Sequence, residues 1–324
     1  MKAIPLERRG LPVSRLVLGC MGLGGGWNRE PIAQEHVRQA HEAVEAALSI
    51  GINMFDHADI YAYGKAEKVF GRVLQERPEL RERILIQSKC GIRPADPSAG
   101  LPGRYDFSEA HLLDSVDGIL DRLGTGYLDV LLLHRPDPLM DPEEVGRAFQ
   151  ALKASGKVRA FGVSNMSAGQ IKLLQAYSDE PLIVNQLEMS LARHGWLQTG
   201  VHVNQDAARD NVFPEGTLEH CMLENIQLQA WSPLARGLYS RNPEGQPESV
   251  AATAKLVREM AERKQTSTEA ILLSWLMTHP AGIQPVIGTA NPERIRACGD
   301  ALKLTLTREE WYSLYVSARG KALP

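Results

Sequence analysis

Residues 128–134 read LDVLLLH, an apolar run that ends on a histidine. A half-buried strand alternates apolar and polar positions, so a run apolar almost throughout belongs to a strand covered on both faces, as in parallel sheets. Seven more runs of this kind flank it: RLVLG from Arg15, INMFD from Ile52, ILIQS from Ile84, RAFGVSN from Arg159, LIVNQLE from Leu182, IQLQAWS from Ile226 and IQPVIG from Ile283. The stretches between them are long enough for crossover helices. Gln34 to Ser49, Ser108 to Leu123, Pro142 to Ser155, Ser167 to Tyr177 and Thr268 to Thr278 carry apolar residues three and four apart. Thr266 and Glu269 have the spacing of a capping box. Eight strand–helix alternations predict an α/β protein of the (β/α)8 TIM-barrel class, with a doubly wound open sheet as runner-up.

The 324 residues show no internal repeat and no Pro/Gly/Ser-rich linker, which predicts one barrel domain over residues 1–324. Two segments exceed what a barrel loop needs, Gly91 to Phe107 and Met189 to Gly216. Both follow the C-terminal ends of strands, where barrel enzymes place their sites, so they are candidate walls of a substrate pocket. Ile4-Pro5-Leu6 and Leu11-Pro12-Val13, on either side of Arg9-Gly10, predict a short N-terminal β-hairpin that plugs the barrel bottom.

A chain with 44% apolar and 23% charged residues and a net charge of −3 has ample core, which excludes disorder and coiled coil. It lacks the basic runs that nucleic-acid binding requires. The N-terminal residues lack the apolar segment of a signal peptide, and AILLSWLM is far too short to span a bilayer. A cytoplasmic protein with a small-molecule partner, no membrane and no obligate protein partner is the expectation. Cys20, Cys90, Cys221 and Cys298 are scattered without C-x-x-C spacing and read as reduced, buried thiols.

On the barrel reading, strand ends carry the chemistry. The second strand runs into Asp56 and then Tyr61, the third ends at Lys89 and the fourth at His134. Alone, each reads as a loop cap or a solvated charge; together, a carboxylate, a phenol, an ammonium and an imidazole on one rim form a proton-transfer set. The ammonium would draw the phenol pKa down toward the working range. The carboxylate would hold the ammonium, and the imidazole would hydrogen-bond a substrate oxygen.

These same residues carry a family resemblance. FDHADIY (55–61), SKCG (88–91) and LLLHRPD (131–137) resemble the active-site motifs of the aldo-keto reductases. GKVRAFGVSN (156–165), NQLE (185–188), AWSPLARG (230–237) and VIGTANPERI (286–295) resemble the later motifs in the same order. The strings QSKCGI and HRPDPLMDPEEV are most similar to the bacterial YdhF-like branch. The resemblance implies that Tyr61 is the general acid, Lys89 its activator, Asp56 the lysine's partner and His134 the residue that orients the carbonyl. It implies NADP(H) as cofactor, with Ser164, Asn165 and Gln186 on the nicotinamide carboxamide and Trp231 stacked on its ring. Ser232, Leu234, Arg236 and Gly237 would follow the pyrophosphate, and Gly288, Thr289 and Arg294 the adenosine 2′-phosphate. Met21 and Asp56 complete the implied cofactor contacts. Two positions depart from the pattern, since a basic residue is replaced by Gly288 and an Asn or Glu by Cys298. NADPH preference therefore rests on Arg294.

Other phosphate-binding signatures fail. Gly22 to Trp27 starts like G-x-G-x-x-G but ends on Trp27, and Gly156-Lys157 is followed by Val158, with Ala151 where a P-loop needs glycine. The glycines after the first strand read as a loop close to a ligand. The implied reaction is NADPH-dependent reduction of an aldehyde or ketone. Rival readings are a Schiff-base Lys89 and a cofactor-binding regulatory or scaffold subunit with little turnover. With no H-E-x-x-H motif, and with His194 and His202 in a polar loop, no metal is expected. The region of Trp27, residues 93–107 and residues 193–213 would line the pocket, and nothing in them names the substrate.

Overall fold

All eight apolar runs form strands in the computed structural model, which describes residues 3–240 and 245–324. They are β1 (Val17–Gly19), β2 (Met54–Asp56), β3 (Leu85–Cys90), β4 (Val130–Leu133), β5 (Phe161–Ser164), β6 (Leu182–Glu188), β7 (Gln227–Trp231) and β8 (Gln284–Ile287). Each pairs in parallel with the next, and β8 returns to β1 with Val17 opposite Val286, so the sheet closes into a barrel. Of the span 1–324, residues 1–2 and 241–244 lie outside the described residues.

Closure needs one tight spot. A Cβ on Gly162 in β5 would stand 2.7 Å from Leu132 Cδ2 and 2.8 Å from Val184 O, so only glycine fits between β4 and β6. The helices bury the faces their spacing predicts. In Gln34–Ser49, Val37, Ala40, Ala43, Val44, Ala46 and Ala47 are buried against the sheet. The helix Thr268–Met277 is instead buried on all sides over Ala270 to Met277.

Two local expectations are corrected. The N-terminal segment is a helical turn, Pro5–Arg8, and not a hairpin, because Pro5 suits the first helical position and Glu7 accepts the Ile4 N–H at 2.7 Å. Ile4 and Leu6 nonetheless bury themselves with Val17, Met54, Val130, Leu132 and Val286, capping the bottom of the barrel. The cap of helix Thr268–Met277 is Ser267, whose Oγ accepts from the Ala270 N–H at 3.0 Å; Thr266 sits one residue too early. Gly24 and Gly25 are required by the protein's own packing, since added Cβ atoms would lie 2.8 Å from the Lys65 backbone and 2.3 Å from the His36 ring.

The two long segments have structure of their own. Residues 91–107 hold an antiparallel ribbon, Ile92–Arg93 against Arg104–Tyr105. Residues 189–216 hold the helix Gly195–Val201, whose buried Trp196 meets Trp275 edge-on at 5.8 Å. Trp275 in turn stacks on Trp311 of the last helix, Arg308–Arg319, at 5.1 Å and 11°. All four cysteines are buried free thiols. Among the described residues no helix is long and apolar enough to cross a membrane.

Candidate active site

Asp56 closes β2, Lys89 lies one residue inside the end of β3, and His134 follows β4 directly. The parallel ladder continues past the strand ends. His57 N–H donates to Gln87 O at 2.8 Å, Asp59 N–H to Lys89 O at 3.0 Å and His134 N–H to Cys90 O at 3.0 Å. These bonds set the height of each side chain on the rim. Tyr61 comes from the turn Tyr61–Gly64, where Ala62 and Tyr63 take φ of 49° and 57°. Left-handed backbone at two non-glycine residues is strained and holds only where its surroundings enforce it.

The ammonium of Lys89 is 1% exposed and donates three hydrogen bonds: to Asp56 Oδ2 at 2.6 Å, to His57 O at 2.9 Å and to Tyr61 Oη at 3.1 Å. An ammonium has three donors, so none is left over. Burial alone would lower the Lys89 pKa, but the charge of Asp56 and the Tyr61 hydroxyl outweigh it and the pKa ends raised. A lysine held this way is a poor Schiff-base nucleophile.

The phenol corrects one expectation. Burial raises the Tyr61 pKa, Lys89 pulls it back and Asp56 raises it further, and the sum lies above the ordinary value. Tyr61 therefore keeps its proton at neutral pH. The His134 ring stands edge-on to Tyr61, with centroids 5.9 Å apart. Burial, then the charges of Lys89 and Arg135, hold its pKa well below 6.5, so the imidazole is neutral. Its Nδ1 is buried without a partner, which leaves Nε2 as the nitrogen able to meet a ligand.

Four of the expected nicotinamide contacts form one chain beside this set. Trp231 Nε1 donates to Asn165 Oδ1 at 3.1 Å, Asn165 Nδ2 to Ser164 Oγ at 2.7 Å, and Ser164 Oγ to Gln186 O at 2.9 Å. The side-chain nitrogen of Gln186 points into the barrel, to Asp56 Oδ1 at 3.0 Å. Met21 is half exposed just after β1. Ser232, Leu234, Arg236 and Gly237 follow β7, and Asn165, Ser232 and Arg236 share positive φ values of 59°, 52° and 56°. Gly288, Thr289 and Arg294 follow β8; a Cβ on Gly288 would meet nothing within 4 Å, and Arg294 is exposed on the helix Pro292–Cys298. No hydrogen bond joins these β7 and β8 segments to Tyr61 or Lys89 among the described residues.

The expected pocket walls divide. Trp27 is exposed and meets Tyr63 edge-on at 5.8 Å, whereas Phe107 is buried under Gly91 and lines nothing. A cavity of about 450 Å³ lies between the 59–63 turn, the 92–105 ribbon and the helix Glu109–Leu123, and is lined by Asp59, Ile60, Tyr63, Ile92, Arg93 and Arg104. It adjoins the rim but does not include Tyr61 or His134. Several residues near the rim escaped sequence reasoning: Arg135, whose guanidinium lies 5.7 Å over the Trp231 ring, and the interior glutamines Gln87, Gln229 and Gln284. The glutamines have a visible signal, since each is an uncharged amide inside one of the eight runs.

Comparison with known proteins gives one answer. The profile of the aldo/keto reductase family matches residues 15–315. The 6-dehydroglucose reductase of Agrobacterium fabrum is 38% identical over 99% of both chains, and the oxidoreductase YdhF of Escherichia coli is 35% identical over the full length of both. The aldo/keto reductase of Klebsiella pneumoniae, solved in complex with NADP and acetate, superposes with a TM-score of 0.69 at 25% identity, covering 93% of this chain and 90% of that one. With that match across the barrel and its rim, the chain belongs to the aldo/keto reductase family and is an oxidoreductase of the carbonyl-reducing kind.

Proposed function

We propose that the protein, working as a single domain in the cytoplasm, reduces an aldehyde or ketone to an alcohol with NADPH, through Asp56, Tyr61, Lys89 and His134. The observation that carries this reading is one ammonium hydrogen-bonded at once to a buried carboxylate and to a phenol. The cofactor fits the residues present. Trp231 offers an indole face at the rim, beside Ser164, Asn165 and Gln186, and the strained backbone at Asn165, Ser232 and Arg236 is of the kind ligand sites retain. Arg294, exposed and with no ion-pair partner among the described residues, suits a 2′-phosphate through its planar fork. The relatives support it in kind, since the Klebsiella pneumoniae structure holds NADP.

When bound, the reduced nicotinamide supplies a hydride to the carbonyl carbon. Tyr61 gives its proton to the substrate oxygen, and its raised pKa keeps that proton available. Lys89 stabilises the phenolate left behind, and Asp56 fixes Lys89. Neutral His134 donates a hydrogen bond from Nε2 to the carbonyl oxygen and orients it. The test is a panel of aldehydes and ketones, a sugar aldehyde included, followed by loss of reduced-nicotinamide absorbance with NADPH and with NADH. Turnover that requires Tyr61 supports the reading; binding of NADPH without turnover of any carbonyl favours the regulatory subunit.

A further inference from the structure

Barrel interiors are normally filled by layers of branched apolar side chains. Here four glutamines, Gln87, Gln186, Gln229 and Gln284, point inward from β3, β6, β7 and β8, each no more than 2% exposed. They join end to end across the barrel interior. Gln284 Nε2 donates to Ser14 O at 2.6 Å, and Gln229 Nε2 donates to Gln284 Oε1 at 3.0 Å. Gln229 Oε1 accepts from Gln87 Nε2 at 2.8 Å and from Gln186 Nε2 at 2.9 Å. Those two nitrogens also donate to Asp56 Oδ1, at 2.5 Å and 3.0 Å. The other oxygen of Asp56 receives Lys89, which reaches Tyr61.

The direction of this relay is forced at its lower end. The Ser14 carbonyl can only accept, so Gln284 must present its nitrogen there and its oxygen to Gln229. Gln229 must then turn its own oxygen to Gln87 and Gln186, whose nitrogens face it and Asp56 together. Reversing Gln87 would set its oxygen against two acceptors; as built, that oxygen is buried without a partner. A buried amide left with an orphan carbonyl is destabilising, a cost a merely space-filling residue would not carry.

We propose that Gln229 is a positioning residue: it fixes the amide orientation of Gln87 and Gln186, and through them the Asp56–Lys89 pair that acts on Tyr61. The inference rests on the proposed role of Tyr61 as acid, and extends it two layers into the barrel. The groups that face the phenol are Lys89, Asp56, Cys20 and the His134 ring, and only the first two are reached by the relay.

The experiment is a tyrosinate absorbance titration of the full chain, with the Tyr61 contribution isolated by subtracting the same titration of Tyr61→Phe. In a Gln229→Leu background the relay loses its acceptor, Lys89 is held less firmly against the phenol, and the Tyr61 midpoint rises by about half a pH unit or more. Turnover falls about tenfold in kcat with little change in KM for cofactor. Gln229→Glu retains an acceptor and, when its buried acid is protonated, a donor as well, so its kcat matches the parent at low pH and falls below it as pH rises. A folded Gln229→Leu protein with the parent midpoint overturns the proposal, and so does a Gln229→Glu protein that matches the parent at every pH. The titration needs neither cofactor nor carbonyl, so it still reports if the parent reduces no carbonyl and the proposed reaction fails.

Discussion

Lys89 Nζ stands 3.1 Å from the Tyr61 hydroxyl while its other two protons are held by Asp56 and the His57 carbonyl. The ammonium cannot turn away from the phenol without breaking two buried bonds. Tyr61→Phe therefore lowers kcat for carbonyl reduction by about 10²–10⁴-fold, and Lys89→Met by a comparable factor, with NADPH affinity by fluorescence quenching nearly unchanged in Tyr61→Phe. Retention of parent kcat in Tyr61→Phe removes the phenol from the mechanism.

Arg294 is expected to separate the two coenzymes. Arg294→Ala should raise KM for NADPH about tenfold or more, the range of a charge-assisted contact to phosphate, and leave KM for NADH where it was. Equal losses with both would assign the residue to helix stability.

Two buried titratable groups work in opposite senses. His57 packs edge-on against Phe70 at 4.6 Å with neither ring nitrogen bonded, and burial with the Lys89 charge pushes its pKa down to about 3. The unfolded chain binds that proton near pH 6.5, so its contribution is complete above 6.5 and is lost as pH falls toward 3. Asp59 is pushed up to about 7, first by burial and then by Glu67, and its Oδ1 is unpartnered. Here the folded chain holds the proton longer, so stability falls as pH rises through 7. In urea unfolding at matched pH, His57→Phe should gain on the parent below pH 6, and Asp59→Asn above pH 7. Variants whose difference from the parent does not vary with pH would contradict both assignments.

Glu67 is fully buried, accepts from Ser88 Oγ at 2.7 Å and from Arg122 Nε at 2.7 Å, and Arg122 keeps 21% exposure. Removal of the partner that can reach water is predicted to hurt more than removal of the one that cannot. Arg122→Leu strands a carboxylate and costs about 3 kcal/mol; Glu67→Gln leaves Arg122 a route to solvent and costs about 1 kcal/mol. Chemical denaturation of both variants measures the difference, and the reverse order would refute the argument.

Much of this was legible from residues alone, for identifiable reasons. A strand covered by barrel interior on one side and helices on the other is largely apolar along its length, so all eight runs stand out, and Leu182–Glu188 matches its run end to end. The rim residues Asp56, Lys89 and His134 were found because they sit where an apolar run stops. What pattern could not supply was the balance of opposed effects. Lys89 does lower the Tyr61 pKa, yet burial wins, and burial is a property of the assembled rim. The Pro5–Arg8 turn is not legible because Pro and Gly punctuation is shared by hairpins and helix starts. Sequence carries no direction for an amide, so the bond from the Gln186 nitrogen to Asp56 is not legible in it.

The stacked indoles of Trp275 and Trp311, with Trp196 set against the first of them, fasten the segment after β6 to the chain's final helix. A truncation beyond residue 307 removes Trp311 and Tyr315 and so strips the helix Gly195–Val201 and Trp275 of the rings packed beside them. The order of a loop that leaves the rim side of β6 therefore depends on aromatic rings more than a hundred positions later in the chain.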